Sequence, residues 1–242
     1  MRYLKTYLTL GIVGVFGFNL FFFLGMQSTS AVNGALIMAL NPLLTAIIAF
    51  FVLKEKPNSR QMLAFPIGII GVAIVVLGVD VGTDAASNTS LHISHGDLYI
   101  FIANLSWALY NVLVKKLMPK DVNGIASTAG IMSIGAIALT LVALLHGDAF
   151  VIPSLHAGSA LVIMSITGGV LSYLFWNAGI AKLGPAKAAI FLNLVPVTSI
   201  VIATFEGIPP NLTQIIGAII VICAVSYSTS AKNLPQNNLP VK

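Results

Sequence analysis

All twelve Lys and Arg residues fall in alternate gaps between eight apolar stretches of this chain. Arg2 and Lys5 precede the first stretch; Lys54, Lys56 and Arg60 follow the second; Lys115, Lys116 and Lys120 follow the fourth. Lys182 and Lys187 follow the sixth, and Lys232 and Lys242 the last. The intervening gaps hold no cation, although they carry five of the seven carboxylates and all four histidines. In a bilayer, cation-rich loops stay on the cytoplasmic side. The alternation therefore predicts an even number of spans with both termini in the cytoplasm.

The stretches cover approximately 8–25, 32–53, 63–79, 98–117, 125–145, 161–181, 188–205 and 212–227. A hydrocarbon core about 30 Å thick needs about 20 helical residues, so each is of spanning length. The apolar runs are continuous, which favours helices over the short alternating strands of a membrane barrel. Of the 242 residues, 57% are hydrophobic and 8% charged, far from the roughly 25% charged composition of soluble domains. The predicted fold class is an all-α polytopic membrane protein with about eight transmembrane helices, in a bacterial inner membrane. The net charge of +5 flanks apolar segments, so it reports orientation and implies no nucleic-acid partner. The amino-terminal apolar run exceeds the 7–15 residues of a usual signal-peptide core and is predicted to be a retained span.

Turn formers separate the stretches: Gln27 to Ser30, Pro57-Asn58-Ser59, Gly184-Pro185 and Gly207 to Asn211. The polar stretch from Asp80 to Asp97 is predicted as an extracytoplasmic loop, and 228–242 as a cytoplasmic tail. The chain also matches itself at an offset of 154: Gly14 on Gly168, Gly25 on Gly179, Ala35 on Ala189, Leu40 on Leu194 and Pro42 on Pro196. Beyond the next turn the offset is 153, placing Gln61 on Gln214 and Gly71 on Ala224. Spans one to three thus echo spans six to eight. Five spans separate the copies, an odd number, so they run in opposite directions, an inverted repeat of the kind that builds secondary transporters.

Ala31, Pro42, Leu53-Lys54-Glu55, Gln61 and Gly71, then Gly96-Asp97, Trp107-Ala108-Leu109-Tyr110, and the second copies Pro196 and Gln214 follow one another in a telling order. In that order and duplication the chain resembles EamA-type members of the drug/metabolite transporter (DMT) superfamily. The resemblance implies a ten-helix, five-plus-five fold, of which this chain looks like the part from the third helix on. Residues 1–79 would be a partial first repeat of three helices and 98–227 a complete second repeat of five. Glu55 lies 13 residues after Pro42 but Glu206 only 10 after Pro196, so the two carboxylates are not given a paired role.

Polar and aromatic groups at mid-depth are where a transporter would hold its substrate. Trp107, Tyr110 and Asn111 share one face of span four, and Tyr173, Trp176 and Asn177 repeat that spacing in span six. They are the predicted substrate-binding residues, with interhelical packing as the competing reading. Asn19 and Asn41 are expected to join helices, and Pro42 and Pro196 to kink theirs at equivalent mid-span positions. Gly11, Gly14 and Gly17, like Gly68 and Gly71, form small faces suited to close helix packing. Lys187, at the inner end of span seven, either meets a carboxylate or snorkels to headgroups.

No charged residue lies at mid-span, which disfavours phosphorylated, strongly anionic or cationic substrates and leaves small neutral or zwitterionic metabolites such as amino acids. No catalytic constellation or phosphate-binding loop is present, so no enzyme, cofactor or ATP-driven pump is expected. His92 and His95 are too weakly scaffolded to predict a metal site. Asn88-Thr89-Ser90 matches a glycosylation acceptor relevant only to a eukaryotic secretory membrane. Cys223 is expected in the core. The expected partners are the lipid bilayer and a small-molecule substrate, with a homodimer left open. A structural or nonfunctional membrane fragment stands as the alternative to a permease.

Overall fold

A segment in hydrocarbon must satisfy its backbone groups internally, and every apolar stretch of this chain does so as a helix. The computed structural model describes residues 2–29, 31–78, 94–147, 152–205, 207 and 210–229. Six of its helices are long and apolar enough to cross a membrane: α1 (Leu4–Met26), α2 (Asn33–Leu53), α4 (His95–Leu117), α5 (Gly124–His146), α6 (Leu155–Leu183) and α7 (Pro185–Ile202). Two others, α3 (Ser59–Gly78) and α8 (Leu212–Thr229), have shorter apolar windows. All eight coincide with the sequence stretches. Glu206, His92, Asn88-Thr89-Ser90 and most of the predicted loop and tail lie outside the described residues.

The boundary differs most at α6, and caps set the starts of both α4 and α6. The Ser94 side chain accepts from the Asp97 amide at 3.3 Å while Asp97 Oδ2 accepts from the Ser94 amide at 2.8 Å, a capping box that starts α4 before the expected Leu98. α6 is capped by Ser154, whose hydroxyl accepts from Ala157 N, and so begins well before residue 161.

Three local features recur at the repeat offset. Gly11–Gly17 in α1 and Ser165–Leu171 in α6 are both π-helical, each seven residues long. Because π-helices are rare, their coincidence at an offset of 154 is strong evidence of common shape. α2 breaks at Ala39-Leu40 and restarts at Asn41 with Pro42 in its first turn; α7 passes through a 3-10 turn, Phe191–Leu194, and restarts at Val195 with Pro196 next. Proline sits in a restarted first turn, where its missing N–H costs little. Finally, Asn58 and Gln61 exchange side-chain to backbone hydrogen bonds of 2.9 and 2.8 Å at the start of α3, and Asn211 and Gln214 exchange bonds of the same lengths at the start of α8. The duplicated glutamines are helix caps.

Contacts between the ends show that the copies are antiparallel. Arg2 pairs with Asp121 in the α4–α5 link at 3.4 Å, so α1 starts at that end. Lys115 donates to Ala181 O at 3.3 Å, so α6 finishes there. α3 and α8 pack along each other, and Arg60 near the start of α3 lies 5.7 Å from the Tyr227 ring near the end of α8. At their crossing, a Cβ on Gly71 would stand 2.8 Å from Val221, and one on Gly68 would touch Ala224 at 3.9 Å. Adding 153 to 71 and subtracting it from 221 turns the first pair into the second, so the interface is pseudo-twofold.

One core cluster gathers Leu10, Trp107, Tyr110, Ile131, Tyr173 and Ile180; a second gathers Phe65, Val72, Ile190 and Val221. Large apolar side chains also face outward, Leu155 at 91% and Phe205 at 88% exposure among them, a surface suited to lipid. Cys223, expected in the core, is exposed on that surface, because the face of α8 that packs on α3 is occupied by Gly217, Val221 and Ala224.

Candidate functional site

The six aromatic and amide residues singled out in spans four and six meet in the bundle interior, and the two triplets cross-link. The Tyr110 hydroxyl donates to Asn177 Oδ1 at 2.9 Å, and the Trp176 indole N–H donates to Asn111 Oδ1 at 2.8 Å. Trp107 lies in the middle, with ring centroids 5.3 Å from Tyr110, 5.4 Å from Tyr173 and 5.9 Å from Trp176. Phe18 of α1 closes the cluster at 4.9 Å from Trp107. Tyr173 donates to Gly14 O at 3.2 Å, tying α6 to the π-helical part of α1. Trp176 is half-buried and the other five are buried, so they form a packed, cross-linked core.

The network extends through residues that sequence spacing did not select. Asn111 Nδ2 lies 3.4 Å from both Asn41 Oδ1 and Thr45 Oγ1, and Thr45 donates to Asn41 Oδ1 at 3.2 Å. Asn41 Nδ2 donates to Asn104 Oδ1 at 2.6 Å, and Asn104 Nδ2 donates to Ile37 O at 2.6 Å, next to the break in α2. Thr128 of α5 accepts from Asn177 Nδ2 at 3.1 Å. Asn41 thus joins helices as expected. Asn19 donates to Val15 O of its own helix at 2.7 Å and also lies against the Tyr173 hydroxyl of α6. Asn104, Thr45 and Thr128 lie on the helix faces that carry Asn111, Asn41 and the contact to Asn177, so face continuity was the available signal. The core contains no charged side chain, and its amides can offer donors and acceptors to a neutral or dipolar ligand once the packing loosens.

The two ends of the bundle differ. At one end, Thr29 donates to Asp97, Asn33 Nδ2 lies 3.1 Å from Asp97 Oδ2, and a Cβ on Gly96 would stand 2.5 Å from Thr29 N and 2.6 Å from Gly25 O. The α1–α2 turn rests directly on the first turn of α4. At the cation-bearing end, a small open cleft lies between the α2–α3 link and the α6–α7 turn, with Glu55, Lys56, Gln61 and Lys187 in its walls and Ala46 and Ala49 at its floor. Lys187 faces this cleft. The floor stops short of the six core residues. It approaches their network, because Ala49, Thr45 and Asn41 follow at four-residue intervals on one face of α2.

Beside the cleft end, the Tyr3 hydroxyl lies 2.6 and 2.5 Å from the Asp121 carboxylate oxygens and donates to them. This bond holds the Asp121 carboxyl below its ordinary range and pushes the Tyr3 hydroxyl above its own.

A helical bundle with duplicated, antiparallel interruptions around an uncharged polar core defines an integral membrane protein of the transporter class. The chain belongs to the EamA-like transporter family, whose profile matches residues 2–77 and 94–230. It is 40% identical over 235 residues to a Bacillus subtilis (strain 168) protein named uncharacterized transporter YyaM, covering 96% of this chain and 75% of that one. It is 26% identical over 226 residues to an uncharacterized transporter of Archaeoglobus fulgidus, covering 92% of this chain and 75% of that one. A solved crystal structure shares the fold with a TM-score of 0.75 at 18% identity, over 92% of this chain and 75% of its own. The relatives' names are those of transporters rather than enzymes.

Proposed function

We propose that this chain is a secondary transporter, a permease or exporter of small neutral or zwitterionic metabolites such as amino acids, working by alternating access. The observation that carries the reading is the paired interruption of α2 at Leu40 and α7 at Phe191–Leu194, beside an amide and aromatic core without charge. Interrupted helices at corresponding positions of two inverted repeats are where transporters place substrate. Trp107, Tyr110, Asn111, Tyr173, Trp176 and Asn177 contact the solute when the core opens, and the breaks before Pro42 and Pro196 supply the bending points. Residues 1–79 and 98–227 are the two moving repeats, 80–97 connects them outside, and 228–242 is a cytoplasmic tail.

The cation-bearing end faces the cytoplasm of a bacterial cell, with both termini inside. The sealed Asp97 end and the open cleft end then correspond to an inward-facing state. The outward apolar surface meets the lipid bilayer, and the exposed side of α6 leaves room for a homodimer. A second reading, a structural membrane fragment of such a transporter, draws on that same uncovered α6.

Reconstitution in liposomes with an amino-acid and small-metabolite panel tests the first reading. Saturable flux lost in Trp107→Ala or Trp176→Ala is the expected result. Flux unchanged in both overturns the role given to the core; no flux from this chain, with flux from a longer relative, establishes the second reading.

A further inference from the structure

We propose that the cleft at the cation-bearing end is a binding vestibule for solutes carrying both a carboxylate and an ammonium group, held by Lys187 from one wall and Glu55 from the other. The inference rests on the transport reading for the solute's onward path; the charge recognition follows from the cleft itself. The cleft is small and open, and its walls come from different repeats.

Each wall is set by an uncommon backbone conformation. Lys54 ends α2 at φ 60° and ψ 20°, the single non-glycine residue of positive φ among the described residues. Gly184 turns α6 into α7 at φ 83° and ψ 159°, a region essentially closed to other residues. Such conformations persist where surrounding structure over-determines them, and they recur at ligand clamps. Here the Lys54 turn brings Glu55 over the opposite wall, with its Oε2 4.0 Å from where a Cβ on Gly184 would stand.

The charges lining the cleft have no partners. The one ion pair among the described residues is Arg2–Asp121, and neither Glu55, Lys56 nor Lys187 makes a side-chain hydrogen bond there. Lys187 is half-buried in one wall and Glu55 exposed on the other. An anion entering the cleft meets the Glu55 carboxylate, and a cation meets two ammonium groups. A zwitterion supplies counter-charges to both walls, and the small side chains of Ala46, Ala49 and Ala186 leave room for its remainder. From the floor, the face of α2 continues to Thr45 and Asn41 of the core network.

The test is equilibrium binding of radiolabelled common amino acids to the purified full chain in detergent, needing no flux. For the tightest binder, its amide, lacking the carboxylate, and its N-acetyl derivative, lacking the ammonium, are compared on wild type, Glu55→Gln and Lys187→Gln. The intact amino acid is expected to bind wild type best. Lys187→Gln weakens it roughly tenfold, the scale of one charged contact, while changing the amide less than about twofold. Glu55→Gln does the same with the N-acetyl derivative as the insensitive ligand, and Lys187→Arg retains affinity. Equal losses for all three ligands, no preference of wild type for the zwitterion, or no binding of any amino acid overturns the proposal. The charge pattern without liposome flux upholds the vestibule and overturns transport; flux without the charge pattern upholds transport and overturns the vestibule.

Discussion

α1 and α6 are two copies of one helix with different surroundings. Both carry a seven-residue π-helical segment at the same place in the repeat. In α1, a Cβ on Gly14 would fall 2.0 Å from the Tyr110 ring, and one on Gly25 2.7 Å from Ile100, because α4 lies directly against it. In α6, the equivalent Gly168 and Gly179 have nothing within 4 Å, and the segments Leu155–Met164 and Ser165–Leu171 contain no buried residue. Local shape follows the repeated sequence, whereas burial follows the neighbours. α4 and α5 cover α1, and no described helix pair covers α6 in the same way.

Four sets of substitutions break or sharpen this comparison, all followed by thermal unfolding in detergent. The largest effect is expected for Gly14→Leu, which drives a side chain into the Tyr110 ring at a cost of roughly 3 kcal/mol or more. Gly168→Leu should change stability by less than about 0.5 kcal/mol. Comparable losses in both would mean that α6 is covered as closely as α1. Next, Asn177→Leu strips the buried Tyr110 hydroxyl of its acceptor and should cost about 1–3 kcal/mol. Thr167→Val on the exposed part of α6, where the hydroxyl bonds only Ile163 O of its own helix, should be nearly silent.

Smaller, and equal in the two repeats, are the expected losses for Gln61→Ala and Gln214→Ala, about 1 kcal/mol each, since both side chains close the same capping box. A clear inequality would show that the caps are matched in geometry but not in energy. The smallest effect concerns the latch between Tyr3 and Asp121. The Asp121 carboxyl is depressed by the Tyr3 hydrogen bond, so its contribution is present above the unfolded pKa and is lost as pH falls through the lower folded value. The Tyr3 hydroxyl is raised, so its contribution is present below its unfolded pKa and is lost as pH rises through the higher folded value. Tyr3→Phe should remove the alkaline sensitivity and reduce the acid one, leaving the smaller part due to the backbone and Arg2; a variant that keeps the full acid response of wild type would place its origin elsewhere.

Much of this architecture was legible in the chain. Continuous apolar runs can only be helices in lipid, and the cations sorted them into two ends that the Arg2–Asp121 and Lys115–Ala181 contacts reproduce. The offset of 154 carried real shape, down to the matched breaks before Pro42 and Pro196. The six core residues were visible because i, i+3, i+4 spacing places side chains on one face. Their cross-linking was not visible, since Tyr110 to Asn177 and Trp176 to Asn111 depend on how α4 and α6 cross. Single polar residues such as Thr45, Asn104 and Thr128 gave no sign of which helix they would meet.

The π-helical segments left no compositional mark beyond their glycines, and Asn19, just past the one in α1, bonds Val15 O of its own helix as well as lying against the Tyr173 hydroxyl of α6. The early start of α4 was recoverable: Ser94-His95-Gly96-Asp97 is a capping-box pattern ahead of an apolar run. The cleft was the least legible element. It arises where Lys54 and Gly184 turn the chain, and its residues come from links 130 positions apart in sequence, as Lys54 and Gly184 themselves show.

Transport through the space between the repeats is tested most directly by locking the cleft. In a Cys223→Ala background, Lys56→Cys and Ala186→Cys place one thiol on each wall, and flux in liposomes is measured before and after a bifunctional thiol reagent joins them. The expected result is saturable flux that stops on crosslinking in the double variant, while either single variant treated with the same reagent keeps its flux. Undiminished flux through the joined protein would contradict alternating access by this cleft.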